Sequence, residues 1–150
     1  MGDRLANLRN AIQALRQVGD VVAQSSMYET EPVDVDRAQS WFLNCAVALE
    51  TELSPRELLD KILAMELAMG RVRSEKRGPR PVDIDIIFFA DEVIDQPGLT
   101  IPHPSMQSRR FVLAPLAEIA PGVIHPLLKR SVQELLDDLP KSSGVVRKLI

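Results

Sequence analysis

Residues 78–89 are Gly78-Pro79-Arg80-Pro81-Val82-Asp83-Ile84-Asp85-Ile86-Ile87-Phe88-Phe89. Branched and aromatic residues fill the second half of this run and predict a strand over 82–89. Side chains alternate along a strand, so Asp83 and Asp85 are expected on one face, about 6–7 Å apart. The core-facing set would be Val82, Ile84, Ile86 and Phe88. Two carboxylates this close repel each other unless a cation lies between them or one takes a proton.

Several basic side chains precede the aspartate pair: Arg71, Arg73, Lys76, Arg77 and Arg80. A basic run alone is most often a solvated loop, and an aspartate pair alone could be the wet face of an edge strand. Together they indicate Mg²⁺ carrying a polyphosphate, because carboxylates are hard ligands and guanidinium groups match phosphate oxygens. The chain has no glycine-rich phosphate-binding motif, so arginines and metal are expected to hold the phosphates.

Composition restricts the class of protein. A length of 150 residues suits one domain over residues 1–150, and a net charge of −3 gives no general attraction for nucleic acid. Cys45 is the single cysteine, which excludes an internal disulfide and fits a reducing compartment. No signal peptide or membrane-spanning run is visible, so we expect a cytoplasmic protein without a membrane partner.

The order of predicted elements indicates an α+β fold. We expect a helix over 4–18, strands over 21–29 and 41–53, a helix over 55–69, and the strand over 82–89. A capping box, Ser54 with Glu57, begins the second helix, and Ser131 with Glu134 begins another that stops before Pro140. Helical residues 105–119 should be interrupted or kinked at Pro115. This order matches the ferredoxin-like βαββαβ unit, an antiparallel sheet with helices packed on it, without its first strand.

Two aromatic residues and an amide could bind a flat heterocycle. Phe42 and Asn44 share one face of the predicted second strand, and Phe111 lies further along the chain. Either ring taken alone is more often part of a core. His103, between two prolines, is as readily structural as functional.

These motifs together resemble the 6-hydroxymethyl-7,8-dihydropterin pyrophosphokinase family of folate biosynthesis. The matching segments are Tyr28-Glu29-Thr30-Glu31-Pro32, Phe42-Leu43-Asn44-Cys45-Ala46-Val47, Glu66 with Gly70-Arg71-Val72-Arg73, Gly78-Pro79-Arg80 with Val82-Asp83-Ile84-Asp85, Pro102-His103, Arg109 with Phe111, and Ala117-Glu118-Ile119-Ala120-Pro121. They cover nearly the whole chain in the family's order, and an ordered set is far more specific than any one member.

The resemblance implies transfer of diphosphate from ATP to the hydroxymethyl oxygen of the reduced pterin, releasing AMP. It implies that Asp83 and Asp85 hold two Mg²⁺ ions on the ATP phosphates and act in catalysis with Arg71 and Arg80. The implied ATP-binding residues are Glu66, Arg71, Arg73, Arg80, His103 and Arg109. The implied pterin-binding residues are Thr30, Val33, Phe42, Asn44 and Phe111.

The N-terminus departs from the family. Members have a strand and a Gly-Ser-Asn-Leu-Gly-Asp-Arg motif before the first helix, whereas this chain begins inside that motif with Met1-Gly2-Asp3-Arg4. Three explanations are open: an internal methionine taken as the start, a slot filled by the C-terminal strand or a second chain, or an unstable or inactive fragment. The rival function is therefore a non-catalytic pterin- or nucleotide-binding module, and the expected assembly is a monomer or homodimer.

Overall fold

A computed structural model describes residues 4–30, 42–70, 82–140 and 146–148. The helices among them are α1 (Arg4–Leu15), α2 (Pro55–Ala68), α3 (Arg110–Ile119) and α4 (Val132–Asp138), with a 3₁₀ turn at Met106–Ser108. The strands are β1 (Asp20–Gln24), β2 (Tyr28–Thr30), β3 (Phe42–Asn44), β4 (Val47–Glu50), β5 (Ile94–Gln96), β6 (Leu99–Ile101) and β7 (Val146–Lys148). The fold is α+β, as predicted.

Both predicted capping boxes are confirmed. The Ser54 hydroxyl accepts the Glu57 N–H, and the Glu57 carboxylate accepts the Ser54 N–H. Ser131 and Glu134 form the same reciprocal pair at the start of α4. Each box satisfies two of the N–H groups that a helix leaves without partners in its first turn, so both helices begin where their sequences specify.

The described strands form three small antiparallel sheets. One pairs β1 with β4, a second has the order β3-β2-β7, and the third is the hairpin of β5 and β6. The C-terminal strand β7 therefore lies beside β2.

The prediction of two long strands over 21–29 and 41–53 was wrong, because each is divided at one shared point. The Ser25 N–H donates to the Ala46 carbonyl, while the Ala46 N–H donates to the Ser25 hydroxyl. A side chain replaces a main-chain acceptor there, which ends one ladder. The chain then continues into the second sheet, as β2 and β3.

Residues 82–89 form no strand ladder, contrary to prediction. Exposure still alternates at the start, with Asp83 and Asp85 exposed between half-buried neighbours. Ile84 and Ile86 pack on a cluster of Leu15, Leu58 and Ile62 from α1 and α2. The expected alternation then fails, because Phe88 packs with α3 and α4 while Phe89 joins the first cluster. No strand among the described residues pairs with this segment, so nothing enforces a regular pleat.

A proline lies inside α3 without ending it. Pro115 is fully buried, and α3 continues through it to Ile119. The interruption predicted at Pro115 instead falls at Arg109, between the 3₁₀ turn and α3. Packing of α3 against α4 around Leu113, Leu116 and Leu135 offsets the hydrogen bond that the proline cannot donate.

Candidate active site

The aspartate pair is held from α2 by a buried carboxylate. Glu66 is only 5 % exposed, and its Oε2 accepts the main-chain N–H of Ile84 at 2.7 Å. Ile84 is the residue between the two aspartates, so this bond fixes the main chain that carries them. Charge-assisted hydrogen bonds of this length are among the stronger ones in proteins. Glu66 therefore restrains the spacing of Asp83 and Asp85, both of which are exposed.

Four of the predicted site residues border one cavity. Its volume is about 640 Å³, and its lining includes Asn44, Asp83, Asp85 and Phe111. Most of the remaining lining comes from apolar residues of α1, β4, residues 82–89 and α3. The structure thus brings carboxylates, an amide and an aromatic ring to one groove although they are far apart in sequence.

The predicted pterin-binding residues of β2 and β3 form a small polar unit. The Asn44 amide donates to the Thr30 hydroxyl at 3.0 Å, which fixes the direction of the amide. Phe42 is directly opposite Thr30 in the ladder and is 48 % exposed. An aromatic ring left half in solvent beside an oriented amide can stack on a flat ligand.

His103 is attached to the aspartate segment. Its main-chain N–H donates to the Ile87 carbonyl at 2.9 Å, and its Nδ1 accepts the Ser105 N–H at 3.2 Å. Because Nδ1 acts as an acceptor, the ring proton of a neutral His103 belongs on Nε2. That nitrogen can donate to a phosphate oxygen.

Arg109 stands at the start of α3 beside the aromatic ring. Its guanidinium carbon is 5.7 Å from the centre of the Phe111 ring, a cation–π distance. The N–H groups at the start of α3 favour an anion nearby. Arg109 and α3 therefore provide positive charge close to a groove that also contains two carboxylates.

Four predicted site residues, Val33, Arg71, Arg73 and Arg80, lie outside the described residues. In the part of the chain that the structure describes, no group of three or more His, Cys, Asp or Glu side chains could hold a metal by itself. A pair of carboxylates nevertheless fits Mg²⁺, which keeps several waters and uses substrate phosphates as further ligands. The donor chemistry thus suits a metal that arrives with a nucleotide.

A polar cluster that sequence reasoning missed connects β2 to α3. The Tyr28 hydroxyl donates to Glu118 Oε1 at 2.7 Å, and the Ser26 N–H and hydroxyl both donate to the same carboxylate. Burial and the Glu118 carboxylate raise the pKa of Tyr28 to about 12. The Tyr28 hydrogen bond lowers the pKa of Glu118. These residues are some 90 positions apart, so no local pattern indicated the contact.

A model of the family described as 7,8-dihydro-6-hydroxymethylpterin-pyrophosphokinase (HPPK) matches residues 1–121. The chain belongs to the HPPK family. A 2-amino-4-hydroxy-6-hydroxymethyldihydropteridine pyrophosphokinase of Methylorubrum extorquens is 44% identical over 149 residues, which are 98% of this chain and 92% of the relative. A protein of the same name from Pseudomonas aeruginosa is 40% identical over 146 residues, covering 93% of this chain and 89% of the relative.

HPPK-like sequence also occurs within longer relatives. The folic acid synthesis protein FOL1 of Dictyostelium discoideum is 39% identical over 145 residues, and the match covers 97% of this chain but only 22% of that protein. The chain thus spans about a fifth of this relative. Among the residues that the structure describes, no helix is both long and apolar enough to cross a membrane.

Proposed function

We propose that this HPPK-family chain transfers diphosphate from ATP to 6-hydroxymethyl-7,8-dihydropterin, producing AMP and the pterin diphosphate. The observation that carries the proposal is the pair Asp83 and Asp85, whose connecting amide is held by buried Glu66 beside a groove that also contains Asn44 and Phe111. Family membership and the names of relatives that match nearly end to end support the same reaction.

The reaction needs positioning and charge neutralisation more than covalent chemistry. The hydroxymethyl oxygen attacks the β-phosphorus, loses its proton, and the bond between the β-phosphorus and the oxygen bridging to the α-phosphate breaks, so AMP leaves. Two Mg²⁺ ions would neutralise the phosphate charge and favour the deprotonated hydroxyl. Asp83 and Asp85 would hold them, and the Glu66–Ile84 hydrogen bond would keep both carboxylates at a constant separation.

On the nucleotide side, positive charge would come from arginines. Arg71, Arg73 and Arg80 would bind the triphosphate, with Arg71 and Arg80 acting on the transferred group. Arg109 would contribute from the start of α3, and His103 would donate from Nε2. Glu66, one of the expected ATP-binding residues, would contribute through its hydrogen bond to the Ile84 N–H.

On the pterin side, Phe42 and Phe111 would stack on the ring. The Asn44 amide, oriented by Thr30, would pair with its amide edge together with main-chain groups near Thr30 and Val33. The half-exposed ring of Phe42 supports this role.

The fold assignment extends the same proposal. Residues 1–150 would form one pyrophosphokinase domain of ferredoxin-like topology, with no counterpart of the first strand among the described residues. The antiparallel pairing of β1 with β4 supports this assignment. We place the enzyme in the cytoplasm as a monomer or homodimer with ATP and the pterin as partners.

Turnover and binding measured side by side separate this function from a non-catalytic binding module. Purified protein is incubated with ATP, with and without the reduced pterin and Mg²⁺, and AMP is quantified. AMP formation that requires both additions supports the proposal. Calorimetric binding of a non-hydrolysable ATP analogue without any pterin-dependent AMP from folded protein would identify the binding module instead.

A further inference from the structure

A carboxylate joins the last turn of α3 to β2 and the residues just before it. The Ser26 N–H lies 3.1 Å from both oxygens of Glu118, and the Ser26 hydroxyl donates to Oε2 at 3.0 Å. The Tyr28 hydroxyl donates to Oε1 at 2.7 Å. Because both carboxylate oxygens accept hydrogen bonds from the same short segment, the group is fixed in orientation as well as in position.

Neither burial nor helix stability accounts for this contact. Glu118 is exposed, so water alone could hydrate its carboxylate. A negative charge in the last turn of a helix is also disfavoured by the helix dipole, and α3 has no basic residue in that turn. The contact therefore acts between two elements of the fold rather than within α3.

The sheet face that Glu118 contacts also carries predicted pterin-binding residues. Tyr28 lies opposite Asn44 in the ladder of β2 and β3, and Thr30 lies opposite Phe42. Residues directly opposite each other in an antiparallel ladder share a face of the sheet, and so do residues two apart on one strand. The hydrogen bond from the Asn44 amide to the Thr30 hydroxyl agrees with this arrangement. All four side chains therefore lie on the face that Tyr28 presents to α3.

Phe111 projects from the same side of α3 as Glu118. The two residues are seven positions apart, close to two full helical turns, so their side chains align along one stripe roughly 10 Å apart. α3 lies against both β2 and β3, and Phe111 lines the same cavity as Asn44. Attachment of Glu118 to β2 therefore sets the gap between the Phe111 ring and the side chains of β3.

We propose that Glu118 is a positioning residue for the pterin site, which holds α3 at the separation from β3 that lets Phe111 and Phe42 enclose a flat ring. The inference rests on the proposed function, because the pterin is the ligand that would occupy this gap. Apolar packing holds α3 to α4, but such packing is non-directional, whereas the hydrogen bonds of Glu118 specify one position of α3 on the sheet. Loss of the contact should therefore weaken pterin binding more than nucleotide binding.

Pterin affinity measured in a double-mutant cycle tests the assignment. Calorimetry gives the Kd for the reduced pterin, with Mg²⁺ and a non-hydrolysable ATP analogue present, in the unsubstituted chain, Glu118→Ala, Phe111→Ala and the double variant. We expect Glu118→Ala to raise the Kd for the pterin at least about fivefold and the Kd for the analogue less than about twofold. In the Phe111→Ala background the same substitution should raise the Kd for the pterin less than about twofold, because the effects of coupled residues are not additive.

Two further variants separate positioning from stability. Glu118→Gln keeps an acceptor oxygen for the Tyr28 hydroxyl and should restore most of the pterin affinity that Glu118→Ala loses. Glu57→Ala removes another carboxylate that accepts a main-chain N–H, at the start of α2, and should leave the Kd for the pterin unchanged although it lowers stability.

Additive effects of Glu118→Ala and Phe111→Ala, or equal weakening of pterin and analogue binding, would overturn the positioning role. The cycle reads binding without turnover, so coupling between Glu118 and Phe111 supports the assignment even in a chain that forms no AMP. A folded, unsubstituted chain that does not bind the pterin would contradict both this assignment and the proposed reaction.

Discussion

The Glu66 carboxylate accepts the main-chain N–H of Ile84 at 2.7 Å, between the two aspartates. Replacing Glu66 by Ala should leave this N–H without its partner and cost about 1–3 kcal/mol of stability. Loss of a residue that orients metal ligands typically lowers activity 10–100-fold, and we expect kcat to fall by a factor in that range. Glu66→Gln keeps an acceptor oxygen and should retain most stability, with a smaller fall in kcat. Thermal unfolding and steady-state kinetics measure both quantities.

A purely structural role for Glu66 makes a different prediction. In that case the Glu66→Ala variant would have the same kcat per folded molecule as the unsubstituted chain. Its dependence on Mg²⁺ concentration would also be the same. Glu57→Ala serves as a comparison, because Glu57 also accepts a main-chain N–H on α2 but lies at the exposed capping box. It should lower stability by about 1 kcal/mol and leave the Mg²⁺ dependence unchanged.

Neutralising one aspartate should abolish metal-dependent turnover without unfolding the chain. Asp83 and Asp85 are exposed, so Asp85→Asn should change the free energy of unfolding by less than about 0.5 kcal/mol. We expect turnover to fall at least about 100-fold, since charge stabilisation of the reacting group is lost. Turnover within a factor of about three of the original would refute the metal-binding role.

Removal of the Phe42 ring should weaken pterin binding selectively. Stacking of a flat heterocycle on an aromatic side chain contributes about 1–3 kcal/mol, so Phe42→Ala should raise the KM for pterin about tenfold with little change in the KM for ATP. Phe42 is half exposed, and stability should change little. Val22→Ala, at another exposed apolar position, on β1, is the control. Equal changes in both KM values would contradict the stacking role.

Because of the Tyr28–Glu118 contact, we expect the free energy of unfolding to depend on pH at both the acidic and the alkaline end of the range. The pKa of Tyr28 is raised from 10.0 to about 12, so its contribution is complete below pH 10 and is lost as pH rises towards 12. The pKa of Glu118 is lowered from 4.5, so its contribution is complete above pH 4.5 and is lost as pH falls further. Tyr28→Phe should cost about 1 kcal/mol at neutral pH.

Stability measured by urea unfolding from pH 3 to 12 tests this contact. Tyr28→Phe should remove the loss between pH 10 and 12, and Glu118→Gln should flatten the decline below pH 4.5. Unchanged pH profiles in both variants would mean that the contact does not contribute in solution.

Features set by neighbouring residues were predictable from sequence. Ser54 with Glu57 and Ser131 with Glu134 form both capping boxes within one helical turn, so their spacing alone indicates them. The α+β class follows from the order of such elements. The division of two predicted strands at Ser25 and Ala46 was not predictable, because it depends on a side-chain contact across 21 positions.

The sequence indicated candidate residues for the site, and the contacts that hold them in place could not be predicted. Asp83, Asp85 and Asn44 stood out because polar residues are uncommon in runs with a strand-like apolar pattern. The attachment of Glu66 to Ile84 was not, since it depends on how α2 packs against a segment 18 positions away. Residues 82–89 likewise form no ladder with any strand of the described residues, which their own sequence pattern could not indicate.

Transfer of the β- and γ-phosphates as one unit to the pterin is the central claim. Protein is incubated with reduced pterin, Mg²⁺ and ATP labelled at the β-phosphate, and the products are separated. The account predicts labelled pterin product in a one-to-one ratio with AMP. The Asp85→Asn variant should not form this product. The Asp95→Asn variant, which changes an exposed residue of β5, should still form it. Label found in ADP, or no labelled pterin from folded protein, would contradict it.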